Sequence, residues 1–512
     1  MFDSGRRSKL QDIVKPINFR PIALCALSLM LGIILFRYSP SLKAWTVITP
    51  VLAVIIVGVA LWFFLEKEHR LKALVTCAIC LAFILVGIAT FGIYQNLILK
   101  NLPKNGVYTV QGEVKSVSYK DGEYFVGLKD CVYDGEVGED LFLYGISQEV
   151  GLYDVLSVKC EVYKAENTDG VKISNAVING SIMQSNKIYE VEIIGKSQSL
   201  ASKFKSATDQ IFIDVLGENG GILSALLRGD TSVMKGTVQL FRLVGIAHIF
   251  AVSGMHIGLI YTALTAFFRK IKIRRWIKTF STIAVIFFYS YLCGFTPSSL
   301  RAVITCSCLA LSNLYGEKYD GVNPLSESAI IILVLRPSDL FSAGFILSFA
   351  IAFSIITLSP PIQRTLGFLP EKFASAIAVL FSSQAVALPL SVAFFGGFSL
   401  VSFFANFVLL PVVTILFYFV VIGTLFCLIL PINELIALFV PTVLTTGIVG
   451  VTEFIARFPL QIDYFPKIMV IGYIGLLLVA SDLINLPRKV KFSCLVIALT
   501  LVFFAFVHSF FG

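Results

Sequence analysis

Apolar runs long enough to cross a bilayer, about 20 residues each, recur from one end of this chain to the other. They lie near 20–37, 46–65, 73–96, 240–268, 277–293, 298–314, 340–358, 373–395, 400–429, 433–456, 466–485 and 491–511. A shorter run at 325–335 reads as a re-entrant or buried piece. With 57% hydrophobic and 14% charged residues among 512, a water-soluble fold would expose apolar surface on a scale that drives aggregation. The expected fold class is a polytopic α-helical membrane protein with about 11–13 transmembrane helices.

Charge sets the expected orientation. Arg6, Arg7, Lys9, Lys15 and Arg20 precede the first run, which is read as a retained helix starting in the cytoplasm rather than a cleaved signal. Lys67, Arg70 and Lys72, then Arg269, Lys270, Lys272, Arg274, Arg275 and Lys278, then Arg488, Lys489 and Lys491 form the basic loops. Placing all of them inside puts residues 100–238 and the C-terminus outside a multi-pass plasma-membrane protein. The basic loops attract anionic lipid and do not by themselves indicate nucleic acid. Residues 101–200 instead carry 15 Asp and Glu against 9 Lys, although the chain as a whole is +9.

In that acidic stretch the pattern changes to alternation. Tyr108, Val110, Gly112 and Val114 oppose Thr109, Gln111, Glu113 and Lys115, and Leu156, Val158, Cys160 and Val162 oppose Ser157, Lys159 and Glu161. That period of two marks half-buried strands. Further runs at 123–132, 140–146 and 171–178, with turns at Asp121-Gly122 and Asp134-Gly135, predict a small extracytoplasmic all-β, OB-like barrel inserted after the third helix. Its acidity argues against an autonomous grip on phosphates and favours gating or docking. Cys131 and Cys160 both fall in it, and a disulfide between them is a candidate. The remaining cysteines read as small hydrophobes.

The expected organisation is a membrane region at 1–100, the β domain at 101–196, amphipathic linker helices on the outer membrane face at 197–238 and a polytopic domain at 239–512. Leu200, Phe204, Ala207, Ile211 and Val215 mark the linker's apolar face, and a second short apolar run follows at 222–227.

The stretch 228–258 concentrates polar groups in otherwise membrane-grade sequence: His248, Ser253 and His256 stand among Gly245, Gly254 and Gly258. Read as one helix over 240–268, it places Ser253 and His256 on a shared face and makes Gly254 and Gly258 a close-approach step. Three readings compete: a hydrogen-bonded packing seam, a polar constriction in a translocation path, or a metal or nucleophilic centre. The last lacks chelating geometry and an orienting carboxylate, so no enzyme activity, metal or cofactor is expected. Arg301, after Thr296, Pro297, Ser298 and Ser299, costs at least about 2.5–3.5 kcal/mol near mid-membrane unless it meets a partner or water. Gln384 with Pro389 and Asn406 with Pro411 interrupt two further helices, and broken helices line cavities in transporters.

These residues resemble the ComEC family, inner-membrane channels that admit single-stranded DNA during natural competence. The resemblance runs from Leu226, Gly229 and Asp230 through Phe241, Arg242, Gly245, Ala247, His248, Ala251, Val252, Ser253, Gly254, His256 and Gly258. It continues with Pro297, Ser298, Arg301 and Ala302, the segment RPSDLFSAGFILSFAIAF at 336–353, and Gln384, Pro389, Asn406 and Pro411. It implies a substrate path drawing on Asp230, Arg242, His248, Ser253, Gly254, His256, Gly258, Arg301, Gln384 and Asn406. The implied partners are single-stranded DNA, the lipid bilayer, a DNA receptor on the outer face, a cytoplasmic motor or strand-binding proteins, a separate nuclease and a second copy of the chain.

Many members of that family end in a metallo-β-lactamase-like domain needing an H-x-H-x-D-H cluster, whereas this chain has histidines at 69, 248, 256 and 508. The expectation is that another protein cleaves the second strand, that strands arrive already unpaired, or that the chain has drifted from uptake. The rival classes are a secondary transporter or flippase for a smaller anion, and a non-transporting scaffold.

Overall fold

A computed structural model describes residues 21–38, 67–97, 103–120, 122–164, 181, 183–231, 234, 237–250, 252–316, 321–430, 433–458, 460–462, 467–482, 490–491, 493–498 and 500–502. The chain divides into two compact units, Pro21–Phe349 with Phe404–Pro459, and Ala350–Phe403 with Leu460–Gly512.

In the larger unit, α1 (Pro21–Tyr38) and α2 (Lys67–Leu97) form a tight pair. A Cβ on Gly32 would stand 2.2 Å from the Ile84 carbonyl oxygen, and one on Gly87 would stand 2.3 Å from that of Leu29. Only glycine at both positions lets two backbones approach so closely. The pair packs Leu29, Ile33 and Phe91 against Ile332 and Leu333 of α9 (Val322–Leu335), so the 325–335 run is a helix buried along one face, with Ile331, Val334 and Leu335 exposed.

The alternating stretch folds as a closed β-barrel. β1 (Gly106–Lys120) pairs antiparallel with β2 (Glu123–Tyr133) on one side and β5 (Asp154–Lys164) on the other. β5 pairs antiparallel with β6 (Met183–Lys196), which runs parallel to β4 (Leu141–Ile146), and β4 returns antiparallel to β2. The ring therefore leaves none of these five strands as a free edge. A two-residue strand, β3 (Glu136–Val137), extends β2 through Asp134-Gly135, whose φ values of +48° and +94° suit a tight hairpin turn. Val110, Val114, Val126, Leu128, Leu141, Leu143, Leu156, Val158 and Val162 fill the interior, as the alternation requires. The run at 171–178 lies outside the described residues, and the fifth long strand is β6, which the alternation analysis missed.

The candidate Cys131–Cys160 disulfide is absent: both are buried free thiols. They sit on β2 and β5, on opposite sides of β1. Two strand spacings separate such neighbours by about 9–10 Å, whereas a disulfide needs Cα atoms within about 7 Å.

Beyond the barrel, α3 (Leu200–Leu216) starts at a Ser199 cap that accepts from Ser202 N at 3.2 Å. Its buried side holds Ala201, Thr208, Ile211 and Phe212, while Leu200 is exposed, a shift from the face expected for it. α4 (Gly220–Arg228) is buried at every residue. A Cβ on Gly220 would stand 2.5 Å from Phe212 O, so glycine lets α4 fold back directly onto α3.

The chain then continues through α5 (Thr237–Val244), α6 (Gly254–Lys270), α7 (Arg275–Leu292), α8 (Pro297–Tyr315), α9 and α10 (Ala343–Thr365). α11 (Glu371–Phe395), α12 (Val401–Ile429), α13 (Glu434–Ala437), α14 (Phe439–Ile455) and α15 (Lys467–Ala480) follow.

Four described segments are long and apolar enough to cross a membrane: Leu74–Tyr94, Ala343–Thr365, Glu371–Phe395 and Val401–Ile429. Pro21–Arg37, Val322–Leu335, Phe439–Ile455 and Ser493–Val502 are shorter apolar helices. The expected crossing at 46–65 lies outside the described residues.

The smaller unit gathers Leu358, Leu388, Ile462, Tyr473, Leu477 and Ala480 into one core. A short ladder between β7 (Phe398–Ser399) and β8 (Gln461–Ile462) closes it, and Asp482 pairs with Arg364 and Lys491, each at 3.0 Å.

Candidate functional site

The single helix expected over 240–268 is corrected, because the polar stretch is a break between two helices. α5 ends at Gly245 (φ +78°), where Ile246 N donates to Phe241 O at 2.9 Å and Gly245 N to Arg242 O at 3.0 Å. This is a Schellman stop, which needs a residue tolerating the left-handed region. A 3₁₀ turn, Ala247–Ile249, follows, and Ser253 is extended (φ −117°, ψ 173°) before α6 begins.

Ser253 and His256 cap that new helix reciprocally. Ser253 Oγ accepts from Met255 N at 3.3 Å, while His256 Nδ1 accepts from Ser253 N at 3.2 Å. Histidine here takes the place that Glu or Gln holds in an ordinary capping box. Since Nδ1 accepts, the neutral ring carries its proton on Nε2. His256 is fully buried, its ring meets Phe417 edge-on at 4.9 Å between centroids, and Nε2 has no hydrogen-bond partner among the described residues.

Arg301 lies beside this cap. Thr296 caps α8, accepting from Ser299 N at 3.3 Å and donating to Val252 O at 3.4 Å, which ties the start of α8 to the break. From the second turn of α8, the Arg301 Nε donates to Ser348 Oγ of α10 at 2.6 Å, and Ser348 also meets Ser298 Oγ at 3.3 Å. The guanidinium stands 5.7 Å from the centre of the Phe349 ring. Its Nη2 would lie 2.6 Å from a Cβ on Gly254, so any side chain at the first position of α6 would displace the guanidinium from this seat.

A second polar cluster joins α3 to α4. Lys205 Nζ reaches Asp209 at 2.7 Å and Asp230 at 3.2 Å, Arg228 pairs with Asp209, and Ser224 donates to Asp209 at 2.6 Å. The side chains of Arg228 and Asp230 are 2% and 1% exposed. Burial alone would lower the Lys205 ammonium, but Asp230 and Asp209 outweigh it and hold it raised. Burial alone would raise the Asp209 carboxyl, but Arg228 and Lys205 hold it lowered. Gly229 (φ +76°) ends α4 so close to the break that a Cβ there would stand 2.9 Å from Val252 N. Lys205, Asp209 and Arg228 were absent from the expected site; the signals were the i,i+4 pair on α3 and a cation directly after an apolar run.

The structure thus brings Ser253, Gly254, His256 and Arg301 together, with Asp230 linked to them through Gly229 and Val252. Other expected path residues stand elsewhere. The exposed Arg242 side chain donates to Ser118 Oγ of β1 at 3.1 Å, tying α5 to the barrel. His248 is exposed in the 3₁₀ turn, and Gly258 faces open space, so it forms no packing seam with Gly254. Ala251 lies outside the described residues. Asn406 is buried on α12 in the larger unit, and Gln384 is half-buried on α11 in the smaller one.

The expected interruptions at Pro389 and Pro411 are also corrected, because α11 and α12 run through them. An internal proline removes one ladder bond and bends a helix without having to end it. Among the described residues no group of three or more His, Cys, Asp or Glu could hold a metal ion. What the cluster offers is hydrogen-bonding groups and one guanidinium.

The family model described as "Competence protein" matches residues 226–507. ComE operon protein 3 of Bacillus subtilis (strain 168) is 28% identical over 198 residues, 38% of this chain and 25% of the relative. YcaI of Escherichia coli (strain K12), itself named as an uncharacterized protein, is 26% identical over 206 residues, 38% of this chain and 27% of the relative. MG316 of Mycoplasma genitalium, likewise named as uncharacterized, is 26% identical over 167 residues, 33% of this chain and 42% of the relative. The matched segments span less than half the length of each of these relatives. No solved structure matches.

Proposed function

Because the chain belongs to the competence protein family, the ComEC family that its motifs resemble, we propose that it provides the membrane path by which single-stranded DNA enters the cell. The observation that carries this reading is the broken helix between α5 and α6. There a fully buried histidine caps the new helix at Ser253, and a guanidinium from α8 lies against its first residue, Gly254. A strand bearing one phosphate per 3.4 Å requires a wet, polar route. Donors on a helix break supply one without the tight hold that would prevent release.

In this reading the basic loops face the cytoplasm and the barrel lies outside. The barrel's ring order and its parallel β4–β6 pair support an OB-like assignment. Its acidic surface suits a gate or dock for a DNA receptor. A cytoplasmic motor or strand-binding proteins would draw the strand inward, and a separate nuclease would remove its complement. A second copy of the chain is a further proposed partner.

The test is transformation frequency in a competent strain lacking this gene, rescued with wild type or His256→Ala at equal membrane levels. Loss of transformation restored only by wild type is the expected result. Normal transformation in the deletion strain would overturn the uptake reading and favour a transporter or a scaffold.

A further inference from the structure

We infer that the Arg301 guanidinium seats a single phosphate group, held by its terminal nitrogens beside the first residue of α6 and the second turns of α8 and α10. The inference rests on the strand-path reading and names the chemical group that this site binds.

Arg301 makes one hydrogen bond among the described residues, from Nε to Ser348, and no carboxylate pairs with it. Nη1 and Nη2 therefore keep their forked donors, a geometry that matches two oxygens of a phosphate. Helix side chains lean toward the N-terminus, which carries this cation back toward the start of α8. There it touches the first residue of α6 and a serine in the second turn of α10.

Helix starts carry partial positive charge and favour anions, and none of these three has an acidic residue in its first turn. An arginine at such a junction, within apolar helices, meets a serine hydroxyl and an aromatic ring but no described carboxylate. An anion beside the fork relieves the guanidinium and the start of α6 together. Ser298 and Ser348 supply hydroxyls beside the fork. Gly254 supplies the clearance, since any Cβ there would crowd Nη2. One fixed cation gives a single rung, which holds a phosphodiester and lets it go.

The shared chemistry is a phosphate, whether from a nucleic-acid backbone, a lipid headgroup or the free ion. The full chain in phosphatidylcholine nanodiscs is titrated with a short labelled single strand across a salt series. Removing one phosphate contact lowers the slope of log affinity against log salt by about 0.7 for single strands. Arg301→Gln is expected to show that loss, and Arg301→Lys is expected to keep the slope while binding more weakly. Gly254→Ala, which retains the charge but crowds the fork, serves where Arg301→Gln does not fold.

Parallel arms measure protection from thermal unfolding by inorganic phosphate and retention of phosphatidylglycerol. If wild type binds no strand, yet phosphate or the lipid acts on wild type and not on Arg301→Gln, the seat stands and the strand-path reading falls. Identical behaviour of wild type and Arg301→Gln in every arm overturns the seat, whatever transformation shows.

Discussion

His256 folds back on Ser253, its Nδ1 accepting the serine backbone N–H at 3.2 Å, so the residue singled out as a pore group is also a helix cap. The two roles separate by substitution. Glutamine is an ordinary partner at this capping position, so His256→Gln is expected to keep wild-type thermal stability. His256→Ala removes a fully buried ring as well as the cap and is expected to lose about 2–5 kcal/mol, the scale of a buried large-to-small change. Transformation is expected to fall in both variants. Full transformation by His256→Gln would reduce the histidine to a cap.

The closeness of α1 and α2 predicts intolerance of any side chain at Gly32 or Gly87. The atoms a Cβ would strike are backbone carbonyl oxygens, at 2.2 and 2.3 Å, which cannot swing aside. Gly32→Ala or Gly87→Ala is expected to cost about 1–3 kcal/mol, the scale of overpacking, as a lowered melting temperature in detergent. Gly258→Ala, with nothing within 4 Å of the added carbon, is expected to leave the melting temperature nearly unchanged.

Asp209 holds both Arg228 and Lys205, so Asp209→Asn strands the almost fully buried Arg228 guanidinium and leaves Lys205 with Asp230 as its remaining carboxylate. Breaking a buried pair from one side costs about 3–5 kcal/mol, measured as loss of thermal stability. The pH dependence follows from the shifts. The Asp209 carboxyl is held below 3.8, so its contribution is present above that value and is lost as pH falls through the lowered one. The Lys205 ammonium is held above 10.5, so its contribution is present below that value and is lost as pH rises through the raised one. Between these limits the network's contribution is expected to be flat. A midpoint in the wild-type-minus-Asp209→Asn stability difference near neutral pH would contradict it.

Cys131 and Cys160 are expected to be inert free thiols. Burial pushes them up to about 12 and about 11, far from the thiolate that alkylating reagents attack. Intact protein is expected to resist iodoacetamide and to gain both labels only after denaturation, with no mobility change on reduction. Protection of the pair from alkylation in denatured, unreduced protein would instead reveal a disulfide.

Much of this was legible because local chemistry decides it. Alternation at 108–114 and 156–162 fixed which residues fill the barrel, since a strand's side chains must alternate between its two faces. Gly135 stood as a turn because a tight hairpin needs positive φ. Ser253, His256 and Arg301 stood out because polar groups in apolar helices require a task or a partner. What failed were inferences that carried helical phase across a backbone break. Ser253 and His256 do meet, but as a cap and not as a shared face, and His248 belongs to a separate turn. Pro389 and Pro411 misled in the opposite direction, because a helix can lose one hydrogen bond and continue.

The amino-acid sequence alone determined the membrane-grade helices, the inserted β region and the polar stretch at 228–258, all consequences of hydrophobicity and periodicity along one short segment. Only the tertiary structure decided that β1 separates Cys131 from Cys160, that Gly254 makes room for a guanidinium from α8, and that Asp230 belongs to a network with Lys205. Each of these joins residues far apart in the chain, and strand order or helix approach depends on how whole elements pack, which no local pattern encodes.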